Sequence, residues 1–197
     1  SELNDCINYV NKLYELGVDG LILADFAIIS YVIENLPGME AHISTQCGVK
    51  CLEDVRFFEE LGAKRVVLAR ENTFDEIKKI KENSKMPLEI FAHGALCVSY
   101  SGGCLMSSML TLRSGNRGRC SQNCRREYTI YKDGTKFSEK GFHLSMKDLN
   151  TSKNLIELLN IGVDSLKLEG RMKNPEYVKI VTSEYRKKID NKDYNPK

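Results

Sequence analysis

No run in the chain comes near the roughly 18–20 apolar residues of a membrane-crossing helix, and no secretory leader pattern opens it. Nothing therefore signals export, and a reducing cytoplasm is the expected compartment, with no membrane partner. Net charge is only +2 over 197 residues, too little to suggest disorder or a general polyanion binder. The motifs of two hydrolase classes are missing as well: there is no G-x-S-x-G elbow and no H-E-x-x-H helix. One absence is local. From Cys97 to Arg126 there is no acid at all, against five arginines, Arg113, Arg117, Arg119, Arg125 and Arg126. That window carries +5, which leaves −3 on the rest of a chain whose total is +2.

What is present is enough for one sizeable core, since 42% of residues are apolar. A phrase recurs three times, as "LGVDGLILAD" (16–25), "LGAKRVVLAR" (61–70) and "IGVDSLKLEGR" (161–171). Each has a glycine closing a helical pattern, then a short apolar run, then a polar residue. "MEAHISTQ" (39–46) and "MPLEIFAHG" (86–94) read as further strands of that kind. Amphipathic helices are expected between them, over 3–16, 26–35, 52–61, 74–83, 151–160 and 176–189. Short apolar strands alternating with helices imply an α/β protein whose parallel sheet is covered on both faces. The tight spacing of the strand ends suggests a (β/α) barrel of the TIM type. A whole barrel takes about 250 residues, and this chain opens on a helix at Ser1 without a methionine. The expectation is a single incomplete-barrel domain over 1–197, missing its first β/α units, with a cysteine- and arginine-rich insertion over 94–145. An open doubly wound sheet is the alternative.

Both architectures place chemistry at the carboxyl ends of the strands. Those ends read Ala24-Asp25, Ser44-Thr45-Gln46, Arg70-Glu71, His93-Gly94 and Glu169-Gly170-Arg171. Directly after the fourth comes the spacing C-x6-C-x15-C-x3-C, made by Cys97, Cys104, Cys120 and Cys124. Thiolates suit soft metals, so zinc and an iron–sulfur cluster are both open, as are ordinary core packing and a Cys97 nucleophile served by His93. An odd total of seven cysteines argues against full disulfide pairing. Structural zinc favours two to four residues between paired ligands; the second pair meets this and the first does not. Nearby glycines let the backbone bend round a bulky group. Arg117, Arg119, Arg125 and Arg126 would either neutralise an anionic cluster and hold an anion, or grip phosphates, with Tyr100 and Tyr128 available to stack on bases. Cys47 and Cys51 at helical spacing are read as core filling, and Cys6 as buried in the first helix.

The block "EIFAHGALCVSYSGGCLMSSMLTLRSGNRGRCSQNCRREY" (89–128) resembles the signature of the collagenase-like peptidases, family 32 of the peptidases of unknown catalytic type. "STQ" (44–46), "GAKRVVLAR" (62–70), "SMKDL" (145–149) and "GVDSLKLEGRMKNPEYV" (162–178) extend the match to nearly the whole chain. The resemblance implies a barrel-like catalytic domain, with the family's first strands and its C-terminal domain lying outside these residues. It also implies two competing activities. One is peptidase action on collagen-like protein. The other is oxygen-independent hydroxylation of RNA, at a tRNA wobble uridine or in rRNA, with a [4Fe–4S] cluster on cysteines and prephenate as co-substrate. Cys97, Cys104, Cys120 and Cys124 match the cluster pattern; Glu89, His93, Arg117, Glu169 and Arg171 match family positions without an assigned role. A zinc-stabilised RNA-binding module is the third reading. Asn150 stands where some relatives carry a cysteine, which leaves the ligand set open.

Overall fold

The computed structural model describes residues 1–170 and 173–191. In chain order the first half runs α1 (Glu2–Glu15), β1 (Gly20–Leu23), α2 (Phe26–Asn35), β2 (Glu40–Ile43), α3 (Leu52–Leu61), β3 (Arg65–Val67), α4 (Phe74–Asn83) and β4 (Leu88–Gly94). The insertion follows, with α5 (Met106–Thr111) and a small hairpin of β5 (Tyr131–Lys132) and β6 (Thr135–Lys136). Then come β7 (Leu149–Asn150), α6 (Leu155–Ile161), β8 (Ser165–Leu168) and α7 (Pro175–Asp190).

Local chemistry fixes the boundaries. Asp25 caps α2 by accepting from the Ala27 and Ile28 amides at 3.0 and 3.2 Å, and Thr73 and Glu76 form a reciprocal capping box on α4. Asn174 caps α7 with Pro175 at its first position. Gly62 and Gly162 end α3 and α6 in the left-handed conformation that only glycine adopts without strain.

β1, β2, β3, β4 and β8 are parallel and lie side by side in chain order, while β7 pairs antiparallel with the end of β4. The order never reverses, so there is no switch point of the doubly wound kind. Nor does the sheet close among the described residues. Five parallel strands stepping one way through right-handed crossovers put the connecting helices on one face, and this corrects the expectation of helices on both. Registered residues Ile43, Val66 and Leu88, with Ile90 further along β4, bury themselves against α3, α4 and α6 in the main core. A second cluster joins α1 to α2 through Val10, Ile28 and Val32, and a third joins Ala92 and Leu155 to Tyr185 of α7.

Alternate strand residues face the other way: Ile22, His42, Arg65, Glu89, Phe91, Ser165 and Lys167. This second face is polar, and Ile22 on it remains 53% exposed. In β3 both Val66 and Val67, on opposite faces, are fully buried, but elsewhere the apolar runs resolve into alternation once register is known. Cys6, expected inside, is exposed, because Val10 is the buried residue of α1. Cys47 and Cys51 do not share a helix. Cys47 sits half-buried in a 3-10 turn against the Ala24 carbonyl, and exposed Cys51 precedes α3.

Truncating Leu88, which is fully buried, to alanine should cost about 2–5 kcal/mol. Ile22→Ala on the open face should cost well under half of that. Urea denaturation of both variants checks the sidedness of the sheet.

Candidate functional site

The cysteine segment leaves β4 at Gly94 and folds back over the carboxyl ends of β2 and β3. Two glycines allow that path. A side chain at Gly94 (φ 103°) would meet the Glu169 carbonyl at 2.2 Å, and one at Gly102 (φ 78°) would meet the Gln46 carbonyl at 2.1 Å. No other residue fits either place. Between the glycines, Ser101 is buried and strongly held. Its amide and hydroxyl donate to the Glu71 carboxylate at 2.6 and 2.8 Å. Its oxygen accepts from the Arg70 amide at 3.2 Å and lies 3.4 Å from the Thr45 hydroxyl. The Gln46 side chain donates to the Gly115 carbonyl at 2.8 Å, and Asn116 donates to Gly102 at 2.8 Å. Thr45, Gln46 and Glu71, noted as polar strand ends, are thus anchors for the insertion.

Within the insertion, hydroxyls tie the second cysteine pair to α5. Ser121 bonds Ser107 at 2.9 Å and Thr111 at 3.0 Å, and Asn123 donates to Ser121 at 2.9 Å. This ladder ties the Cys120–Cys124 turn to α5, two residues beyond Cys104. The Gln122 amide donates to the Cys120 sulfur at 3.4 Å, from a left-handed backbone at φ 53° that a non-glycine residue adopts only under strain. Arg125 closes the arrangement from below. Its guanidinium donates to the Leu96 carbonyl at 2.9 Å, to Ser145 at 2.8 Å and to the Met146 carbonyl, with Asp148 at 3.8 Å. Cys124 reports the result. Burial raises its thiol pKa most, then proximity to Cys97, while Arg125 opposes them and Cys120 and Cys104 add to the rise. No three His, Cys, Asp or Glu among the described residues are placed to hold a metal ion.

The remaining candidates divide. Arg117 pairs with Glu2 at 2.6 Å on the surface, whereas Arg113, Arg119 and Arg126 are exposed and unpaired among the described residues. Glu89 lies on the open sheet face, away from the cysteines in register. It holds Ser165 at 3.0 Å, Lys167 at 3.1 Å and Arg65 at 3.5 Å. Burial resists its ionisation, but Lys167, Ser165 and Arg65 together keep its carboxyl below the ordinary 4.5. His93 follows a bulge between Phe91 and His93, a device that re-aims side chains at strand ends. Its Nδ1 lies 3.3 Å from the Tyr185 hydroxyl, and burial lowers its pKa, with Asp148 opposing. It makes no hydrogen bond to a cysteine among the described residues. The Glu169 amide donates to the His93 carbonyl at 2.7 Å, which locks the two strand ends together. Arg171 lies outside the described residues. Sequence reasoning missed Ser101, Arg125 as a brace, and Tyr185. Only the buried aromatic of the last helix left a trace, as one apolar position in a periodic pattern.

The model of peptidase family U32 matches residues 1–196. The chain belongs to that family. It is 43% identical over 190 residues to the 23S rRNA 5-hydroxycytidine C2501 synthase of Escherichia coli, a match covering 96% of this chain and 29% of that relative. It is 42% identical over 190 residues to tRNA hydroxylation protein P1 of Bacillus subtilis, covering 93% of this chain and 45% of that relative. The chain thus spans less than half the length of these U32 relatives. A solved U32 peptidase, Mk0906, aligns with a TM-score of 0.50 at 16% identity over 85% of this chain and 60% of its own, which supports a shared fold and nothing finer.

The Ser101–Glu71 pair makes a pH-dependent contribution. Burial raises the Glu71 pKa, but the two Ser101 donors and Lys50 outweigh it and hold the group below 4.5. A depressed carboxyl stabilises the fold fully above the unfolded value and stops doing so as pH falls through the folded one. Glu71→Gln should cost about 1–3 kcal/mol at pH 7 and close to nothing below the folded pKa. Denaturation curves across pH 3–7, compared with the wild type, would show this convergence in acid.

Proposed function

We propose that this domain is the cluster-bearing part of an oxygen-independent RNA hydroxylase, and that its five parallel strands are an arc of a TIM-type barrel. What supports the reading is the C-x6-C-x15-C-x3-C spacing of Cys97, Cys104, Cys120 and Cys124 in a chain whose U32 relatives include proteins named for rRNA and tRNA hydroxylation, although as placed no three of the described residues form a metal-holding group. A zinc ion with bonds of about 2.3 Å draws its four sulfurs within about 4 Å of each other. A [4Fe–4S] cluster is a larger body that spaces its thiolates further apart, and Cys97, Cys104, Cys120 and Cys124 are the residues that would hold it. When bound, the cluster would supply one-electron chemistry at iron.

The protein's own residues do the rest. Arg125 braces the backbone at Leu96 and the 145–148 loop, so ligands 27 positions apart in sequence keep their relation. Its charge, with that of Arg117, Arg119 and Arg126, offsets the negative charge of a cluster on four thiolates. Exposed Arg119 and Arg126 are placed to take RNA phosphates. An RNA substrate would put the protein in the cytoplasm, with prephenate as the implied oxygen donor. The two relatives named for rRNA and tRNA hydroxylation favour this reading over peptidase action.

Anaerobically purified and reconstituted protein should be brown, hold about four irons and four sulfides, and give a low-spin paramagnetic signal after reduction. Cys120→Ser and Cys124→Ser should each lose most of the iron. A colourless protein with one tight zinc would overturn the proposal.

A further inference from the structure

Arg70 follows β3 and carries an unmet demand. Its guanidinium lies over the Phe91 ring, 4.2 Å from the centroid, and its Nε is buried with no hydrogen-bond partner among the described residues. Buried charged donors are normally paired, because desolvating one without an acceptor is costly. The obvious acceptors are taken. The adjacent Glu71 carboxylate receives both donors of Ser101 and has Lys50 at 3.9 Å. Glu89 receives Ser165, Lys167 and Arg65. Arg65 repeats the pattern, since its own Nε is also buried and unpartnered. Lys167 completes the group, with its ammonium 5.7 Å from the same Phe91 ring. Arg65, Arg70 and Lys167 therefore surround one ring and one carboxylate on the open face of the sheet.

We propose that Arg70 and Lys167, over Phe91, form a binding site for a small oxyanion, the carboxylate or phosphate group of a low-molecular-weight compound. Stacking on Phe91 fixes the plane of the Arg70 guanidinium, and while its Nε is buried, no described partner engages its two terminal nitrogens, whose shared edge suits a two-pronged contact with a planar acceptor. Its backbone is fixed too, since the Arg70 amide donates to Ser101 at 3.2 Å. Lys167, already paired with Glu89 at 3.1 Å, shares that carboxylate with Arg65 at 3.5 Å and so leaves the group as a whole net positive. The site is half-buried between strands, which favours a small molecule over a polymer. The exposed, unpaired Arg113, Arg119 and Arg126 lie instead on the insertion, where a polymer backbone can reach them. This site does not depend on the iron reading and is tested without activity.

Isothermal calorimetry at low salt, with inorganic phosphate and malonate as separate probes, decides it. The wild type should bind at least one probe saturably, and the stronger of the two identifies the oxyanion. Arg70→Gln should weaken that binding at least about tenfold, and Arg70→Lys, which keeps the charge and loses the fork, by a smaller factor. Lys85→Gln, which removes an exposed cation before the amino end of β4, should match the wild type. If circular dichroism shows Arg70→Gln to be unfolded, Arg70→Lys carries the comparison. Absence of saturable binding by the wild type, or equal binding by Arg70→Lys, would overturn the site. So would displacement of the probe by a short RNA with equal loss of both ligands in Arg70→Gln, since a polymer would then be the occupant.

Discussion

Glu71 accepts the amide and the hydroxyl of Ser101, and this pair of short bonds decides where the cysteine segment can go. Around it, Gly102 presses against the Gln46 carbonyl so closely that no β-carbon fits. The same serine fixes the Arg70 amide and approaches Thr45. The insertion is therefore moored to the carboxyl ends of β2 and β3. Cys97 and Cys104 flank the moored stretch, and the Ser107–Ser121–Thr111 ladder then brings Cys120 and Cys124 back to it. Remove the carboxylate and the loop loses the reference point from which the thiols are placed.

The sheet supplies the platform for this arrangement and a second surface beside it. Its helices lie on one face, so alternate strand residues are free to carry charge on the other. Glu89 neutralises part of that charge. Arg70, stacked on Phe91 with its Nε unmet, is left with capacity for an outside acceptor. Three arginine populations then do different work. Arg65 and Arg70 sit among strands, Arg125 braces the insertion from within, and Arg113, Arg119 and Arg126 face outward.

Much of the framework was legible in the residues. Helices over 26–35, 52–61 and 74–83 appear with the expected limits, because their caps, Asp25, Thr73 and Gly62, announce themselves locally. The five parallel strands follow from glycine-punctuated apolar runs. What the pattern could not give was the face each residue takes. A four-residue strand such as Gly20–Leu23 reads as continuously apolar until pairing with Glu40–Ile43 sets its register. Cys6 failed for the analogous reason, since helical periodicity does not say which arc meets a neighbour. The site divided likewise. The four cysteines were visible as a spacing, but Ser101 and Tyr185 act across 30 and 92 positions of sequence, and separations of that length leave no local signal. Arg125 looked like its neighbours in composition and differs from them only in having carbonyls within reach.

The proposed function requires the thiols of Cys97, Cys104, Cys120 and Cys124 to act as one ligand set, and X-ray absorption at the iron edge of the anaerobically loaded protein tests this most directly. A first shell of sulfur alone, with an iron–iron scatterer behind it, is the expected result. A first shell rich in nitrogen or oxygen, or one with no second iron, would contradict the account.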